Sequence, residues 1–143
     1  MRFLLKFLKL KNKNKLLAIE VAFFLFIARL SILFLPYRFL KPVLGKYKKS
    51  NDSQNVDPKE LRRISNYIHK ISKYMPVKSN CLPQAITAKC MLKARNINST
   101  LYIGLGKDKK NHLLQAHAWL KVNEFSVTGG INNTEYSEVA YFG

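Results

Sequence analysis

The hydrophobic rhythm of the chain changes twice. Residues 1–15, "MRFLLKFLKLKNKNK", mix basic and apolar positions as an amphipathic lead, and residues 16–36, "LLAIEVAFFLFIARLSILFLP", are the most apolar stretch. Pro36 and Pro42 bracket a short basic segment, and the polar run 48–57, "KKSNDSQNVD", reads as a loop. A well-signalled helix follows. Asp57 is a natural N-cap, Pro58 fits the first helical position and Glu60 completes a start resembling a capping box. Leu61, Ile64, Ile68, Ile71 and Met75 then recur every three or four residues on one face, until Pro76 stops the helix. A second helix is predicted from Asn80 or Cys81 to about Arg95, with Pro83 in its first turn and Lys93 and Arg95 suiting its C-terminal end.

From Ser99 the period becomes two. In "TLYIGLG", Leu101, Ile103 and Leu105 alternate with Thr100, Tyr102 and Gly104. After the polar turn "KDKKN", Gln115, His117, Trp119 and Lys121 alternate with Leu114, Ala116, Ala118, Leu120 and Val122. Asn123-Glu124 turns the chain into "FSVTGG", and "SEVAYFG" reads as a last strand. Helices first and antiparallel strands second predict an α+β fold, with a cysteine-bearing helix packed on a small sheet. Residues 1–50 form a basic N-terminal segment carrying the apolar helix, and residues 51–143 form the core as one globular unit.

Charge sharpens that division. Lys and Arg outnumber Asp and Glu by 25 to 8, and residues 1–50 carry twelve of these cations against one acid, Glu20. Such a head binds anionic lipid, nucleic acid or an acidic partner; without a recognised nucleic-acid fold, nucleic acid is the weakest of the three. The apolar stretch lacks a small-x-small cleavage site, so it does not read as a secretory signal. Its 21 residues suffice to span a bilayer. Glu20 and Arg29 oppose this at up to ~3 kcal/mol each, while the Leu, Ile, Phe and Val residues return about 6 kcal/mol. The favoured reading is a helix docked on protein, with membrane contact as the alternative. The two differ in whether Glu20 and Arg29 find protein partners.

Cys81 and Cys90 are the only cysteines. On one helix they lie ~13 Å apart and about 180° around the axis, beyond the reach of a disulfide. Two free thiols fit a reducing compartment such as the cytoplasm. A thiol reacts as its thiolate, which unpaired amides and the helix dipole stabilise, so Cys81 at a helix start is placed as a nucleophile. Its base has to come from elsewhere. His112 falls in a turn and His69 lies off the apolar stripe of its helix; only His117, in "AHAW", has small neighbours that let its ring face another element. No Cys/His cluster has metal-ligand spacing and no phosphate-binding glycine motif is present, so neither metal nor cofactor is expected.

"CLPQAITAKCMLKARNINSTLYIGLGK" followed by "AHAWLKVNEFSVTGG" resembles the stand-alone leader peptidases of lasso peptide biosynthesis, members of the transglutaminase-like, papain-type superfamily. The match runs from Cys81 to the closing aromatic strand, with an apolar helix, Leu-Pro-aromatic-Arg and an amphipathic helix upstream. The cysteine and His-x-Trp pair is common to the superfamily; Cys-Leu-Pro and Thr-Gly-Gly are more specific. The resemblance implies Cys81 as nucleophile and His117 as general base in a peptidase that removes the leader of a lasso precursor. It also implies a separate leader-recognition protein and a cyclase as partners. The family's third residue is an aspartate about a dozen positions after the histidine. Here that window reads "SVTGGINN", with Gly129 twelve positions on, and holds no carboxylate. Thr128 is the candidate in its place, with Asn132 or a water as alternatives. Two other readings stay open: a transglutaminase or amidase using the same acyl-enzyme, and a non-enzymatic basic module on membrane or nucleic acid.

Overall fold

A computed structural model describes residues 5, 8–48, 55–75, 81–107, 109–130 and 136–143. The order is α1 (Asn12–Phe34), α2 (Tyr37–Leu44), α3 (Pro58–Ser72), α4 (Cys81–Ala94), β1 (Thr100–Lys107), β2 (Leu114–Val122), β3 (Phe125–Thr128) and β4 (Tyr136–Phe142). The fold is α+β, helices before strands, as the pattern predicts.

The predicted caps and stripes are present. Asp57 Oδ1 accepts the Lys59 amide at 2.9 Å, Pro58 opens α3, and Leu61, Ile64, Ile68 and Ile71 are buried along one side. His69 is exposed. α4 is the central helix, its Ala85, Ala88, Met91 and Leu92 having no exposed surface. The small Ala85 and Ala88 let neighbouring elements approach closely. Pro76 and Asn80 fall outside the described residues. The segment bracketed by Pro36 and Pro42 is a two-turn helix, α2, that tolerates Pro42 inside it.

The strands form one antiparallel sheet in the order β3-β2-β1-β4. Its register sets Gly104 opposite His117 and Tyr102 opposite Trp119. Asn123 makes the tight β2–β3 turn at φ 51°, a left-handed conformation that asparagine tolerates. One face of the sheet (Leu101, Ala118, Leu120, Val122, Val127 and Phe142) joins the core with α4. α1 packs on α4 and α3, and α3 also packs against β3.

α1 contributes Leu17, Ala18, Val21, Leu25 and Ala28 to this core. Glu20 finds a protein partner: its two carboxylate oxygens each accept from an Arg95 guanidinium nitrogen at 2.7 Å. That hydrogen bond raises the Arg95 pKa. Glu60 approaches the same guanidinium at 3.6 Å, so α1 and α3 meet the end of α4 through one cation. Arg29 differs; its Nε is buried with no hydrogen-bond partner. A second internal cation, Lys89, donates to the carbonyls of Ser99 (2.9 Å) and Phe142 (3.3 Å), tying α4 to both strands of the β1–β4 pair at one end. Burial, then the nearby Lys93, holds its ammonium down to about 8.

Candidate active site

Cys81 is the first residue of α4, half-buried and packed against the hydrophobic core. Cys90 lies two and a half turns further along the helix, also as a free thiol, and burial pushes its pKa up. The chemistry assigned to helix starts therefore separates the two: Cys81 is at the amide-rich end, and Cys90 is not.

His117 sits on β2 facing away from the helix-bearing side of the sheet. There it stacks on Tyr136 (4.7 Å between centroids) and on Trp119 (5.8 Å), and Trp119 in turn stacks flat on Tyr102 at 5.7 Å. Gly104 makes this layering fit, because a Cβ there would lie 2.8 Å from the Trp119 ring. His117 Nε2 is 2.8 Å from the carbonyl oxygen of Gly129. A carbonyl only accepts, so Nε2 carries the proton, and in the neutral ring Nδ1 is the basic nitrogen. The aromatic layer fixes the plane of the ring and the Gly129 carbonyl fixes its tautomer.

Thr128 does not take the expected role. It is buried at the end of β3, its hydroxyl has no hydrogen-bond partner, and it makes no bond to His117. The chain leaves β3 through Gly129 at φ 69°, and it is this residue's backbone oxygen that meets the imidazole. Asn132 and Asn133 lie outside the described residues. Thr128→Val should therefore leave any activity that depends on His117 at the wild-type rate. It should also melt at the same temperature or higher, because it removes a buried hydroxyl that pairs with nothing, by up to about 1 kcal/mol. A lowered single-turnover rate with unchanged melting would restore the hydroxyl to the site.

α4 and β2 pack directly, but among the described residues no hydrogen bond joins Cys81 to His117. The imidazole emerges on the Trp119 side of the sheet, whereas Cys81 packs on the core side. Between α3, the first turn of α4 and the end of β3 lies a cleft of about 370 Å³. Gln84, three positions after Cys81, borders it together with His69, Thr128 and Gly129. It thus borders the helix that carries the thiol and the residue whose carbonyl meets the imidazole, while Cys81 and His117 themselves do not line it. Its wall was not legible in the sequence, since exposed His69 and first-turn Gln84 carry no pattern. Among the described residues, no three His, Cys, Asp or Glu side chains group to hold a metal ion.

The family model of the transglutaminase-like superfamily matches residues 22–141. The chain belongs to that superfamily. Comparison with curated proteins and with solved structures gives no match. Transglutaminase-like proteins are typically cysteine peptidases or acyltransferases, and the match begins inside α1, so this helix lies partly within the superfamily region. In this transglutaminase-like chain glycine stands where the family has an acid, and among the described residues it is the Gly129 backbone oxygen that hydrogen-bonds His117.

Proposed function

We propose that the chain is a cysteine peptidase that removes the leader from a ribosomally made lasso precursor. The observation that carries the reading is the His117–Gly129 hydrogen bond. It leaves Nδ1 as a base on a strand that packs against the helix opened by Cys81, within a transglutaminase-like chain. A precursor segment lying in the 370 Å³ cleft passes Gln84 of α4 and Gly129. The reaction requires the thiol and Nδ1 to come within hydrogen-bond reach, so the pairing of Cys81 with His117 is supported by membership of the superfamily and not by a contact between them.

Nδ1 takes the Cys81 proton, and the thiolate attacks the scissile carbonyl. Amides at the start of α4 stabilise the oxyanion. The C–N bond breaks as the imidazolium protonates the leaving amine, giving a thioester on Cys81 and a free core peptide. His117 then takes a proton from water, whose oxygen attacks the thioester; the C–S bond breaks and the thiol is regenerated with the leader as a carboxylic acid. A separate recognition protein presents the leader, and a cyclase uses the released core.

The same acyl-enzyme serves a transglutaminase if an amine replaces water, or an amidase if the amide cleaved is not a backbone bond of the precursor. Intact-mass spectrometry of a lasso precursor incubated with the chain and the recognition protein separates them. Two fragments whose masses sum to precursor plus water are expected. A cross-linked product formed with loss of ammonia would assign an acyltransferase. Binding that survives loss of Cys81, weakens steeply with salt and yields no product would assign a non-enzymatic basic module.

A further inference from the structure

α1 has two apolar faces, and the core uses only one. Leu17, Ala18, Val21, Leu25 and Ala28 are turned inward. At 3.6 residues per turn, Leu16, Ile19, Phe23, Phe26, Leu33 and Phe34 centre about 180° away. All six are between 49% and 77% exposed. At roughly 150–250 Å² for a large side chain they present on the order of 700 Å² of apolar surface. The largest patch on an ordinary soluble monomer is ~300–600 Å². No charged residue interrupts this stripe, and exposed Tyr37 and Phe39 extend it into α2.

The charges sit at its two ends. Lys9, Lys11 and Lys13 are exposed before or at the start of α1, and Arg38, Lys41, Lys46 and Lys48 are exposed after it. Beyond the helix, cation and aromatic come in pairs: Arg38 over Phe39, Lys41 over Tyr37 and Lys48 over Tyr47, each within 5.7 Å. Such pairs suit the boundary between hydrocarbon and headgroups. The one acid of this region, Glu20, is already engaged by Arg95. A protein groove would need acids at both rims, ~35 Å apart, the length of a 23-residue helix. An anionic bilayer offers negative charge everywhere along that length.

The helix is long and apolar enough to span a membrane, but its inner face and Glu20 are committed to the protein core. We infer that the chain docks on an anionic bilayer with α1 lying flat in the interface. Its Leu16–Phe34 outer stripe enters the acyl boundary, and the flanking lysines and arginines rest on the headgroups. This inference is independent of the reaction at Cys81.

Flotation of the full chain with vesicles tests it. The chain should float with mixed phosphatidylcholine–phosphatidylglycerol vesicles and much less with phosphatidylcholine alone, and raised salt should weaken the association. Phe23→Ser combined with Phe26→Ser should reduce partitioning by about tenfold or more. The melting temperature should hold, since both side chains point outward. Lys11→Gln and Lys13→Gln should each reduce it about fivefold, on anionic vesicles only. Alkaline carbonate should release the chain. The inference is overturned if the double serine variant partitions like wild type, or if anionic vesicles bind no better than neutral ones. Resistance to carbonate would mean that the helix spans instead. A dimer that dissolves in the serine variant, without vesicle binding, would give the face to a second copy of the chain.

Discussion

Cys81→Ala is expected to abolish precursor cleavage, with a residual rate at least about 10⁴ below wild type, whereas Cys90→Ala keeps most of the activity. Removing a nucleophile removes the acyl-enzyme route altogether, and losses of this size or larger follow such deletions in enzymes with a linked nucleophile and base. The asymmetry between the two thiols is positional. Cys81 opens α4, where amide hydrogens lack helical partners. Cys90 is inside the helix, and burial raises its pKa, which suppresses the thiolate. Losing Cys90 should cost stability only, roughly 1–2 kcal/mol for a small half-buried group. Single-turnover cleavage with melting curves for both variants decides the matter. Equal loss of activity in two folded variants would remove Cys81 from its role.

Gly129→Ala is expected to damage both fold and turnover, and Gly129→Asp should not rescue the missing carboxylate. Residue 129 has φ 69°, where a Cβ is strained whatever the space. Here there is no space either. A Cβ would lie 2.6 Å from the Ala118 carbonyl oxygen, 2.9 Å from the Trp119 Cβ and 3.0 Å from His117 Nε2. Two of these are rigidly placed on β2, so the turn must move, and with it the carbonyl that holds the imidazole. The expected cost is about 1–3 kcal/mol of stability. Turnover should fall about 10²–10⁴, the upper figure being what loss of a tautomer-fixing partner has cost in other enzymes. Thermal unfolding and single-turnover cleavage read the two effects separately. If Gly129→Ala cleaves and melts like wild type, the backbone carbonyl is not what orients His117. If Gly129→Asp is faster, the turn yields more readily than its contacts indicate.

Periodicity made α3 and the strands legible, because each shows its core one apolar side against a polar one; α4, buried on nearly every side, was legible only from Pro83 in its first turn and the cations at its end. Leu61 to Ile71 and Leu101 against Tyr102 are cases of that contrast. α1 offered no contrast: with nearly every position apolar, nothing local says which side is inward, and only its contacts with α3 and α4 decide it. The Glu20–Arg95 pair joins residues 75 positions apart, so the sequence posed the question of Glu20's partner without answering it. At the site, Cys81 and His117 were visible as residue types in a recognisable setting. The orienting group was not. A carbonyl is present at every residue, so no side chain marks the one that matters, and the search for a polar group near position 129 led to Thr128. The strand order was equally hidden, since β4 pairs with β1 rather than with its sequence neighbour β3.

That pairing bears on how the chain comes to be folded. β4 follows the other strands in the chain, yet its end closes against the residues just after α2. Lys46 and Gly143 exchange backbone hydrogen bonds at 2.9 and 3.1 Å, the Lys48 amide reaches the Tyr141 carbonyl, and Lys89 reaches the carbonyl of Phe142. During synthesis α1 and α2 emerge long before their closing partner exists. Contacts so distant in sequence form late, after the loop-closure entropy between them has been met. Until α3 and α4 have followed, α1 has little to cover either of its apolar sides, and the nascent chain is most prone to aggregate in this interval. A surface that takes up the outer side of α1 early would shorten the period of risk, leaving the inner side to wait for α4 and the sheet.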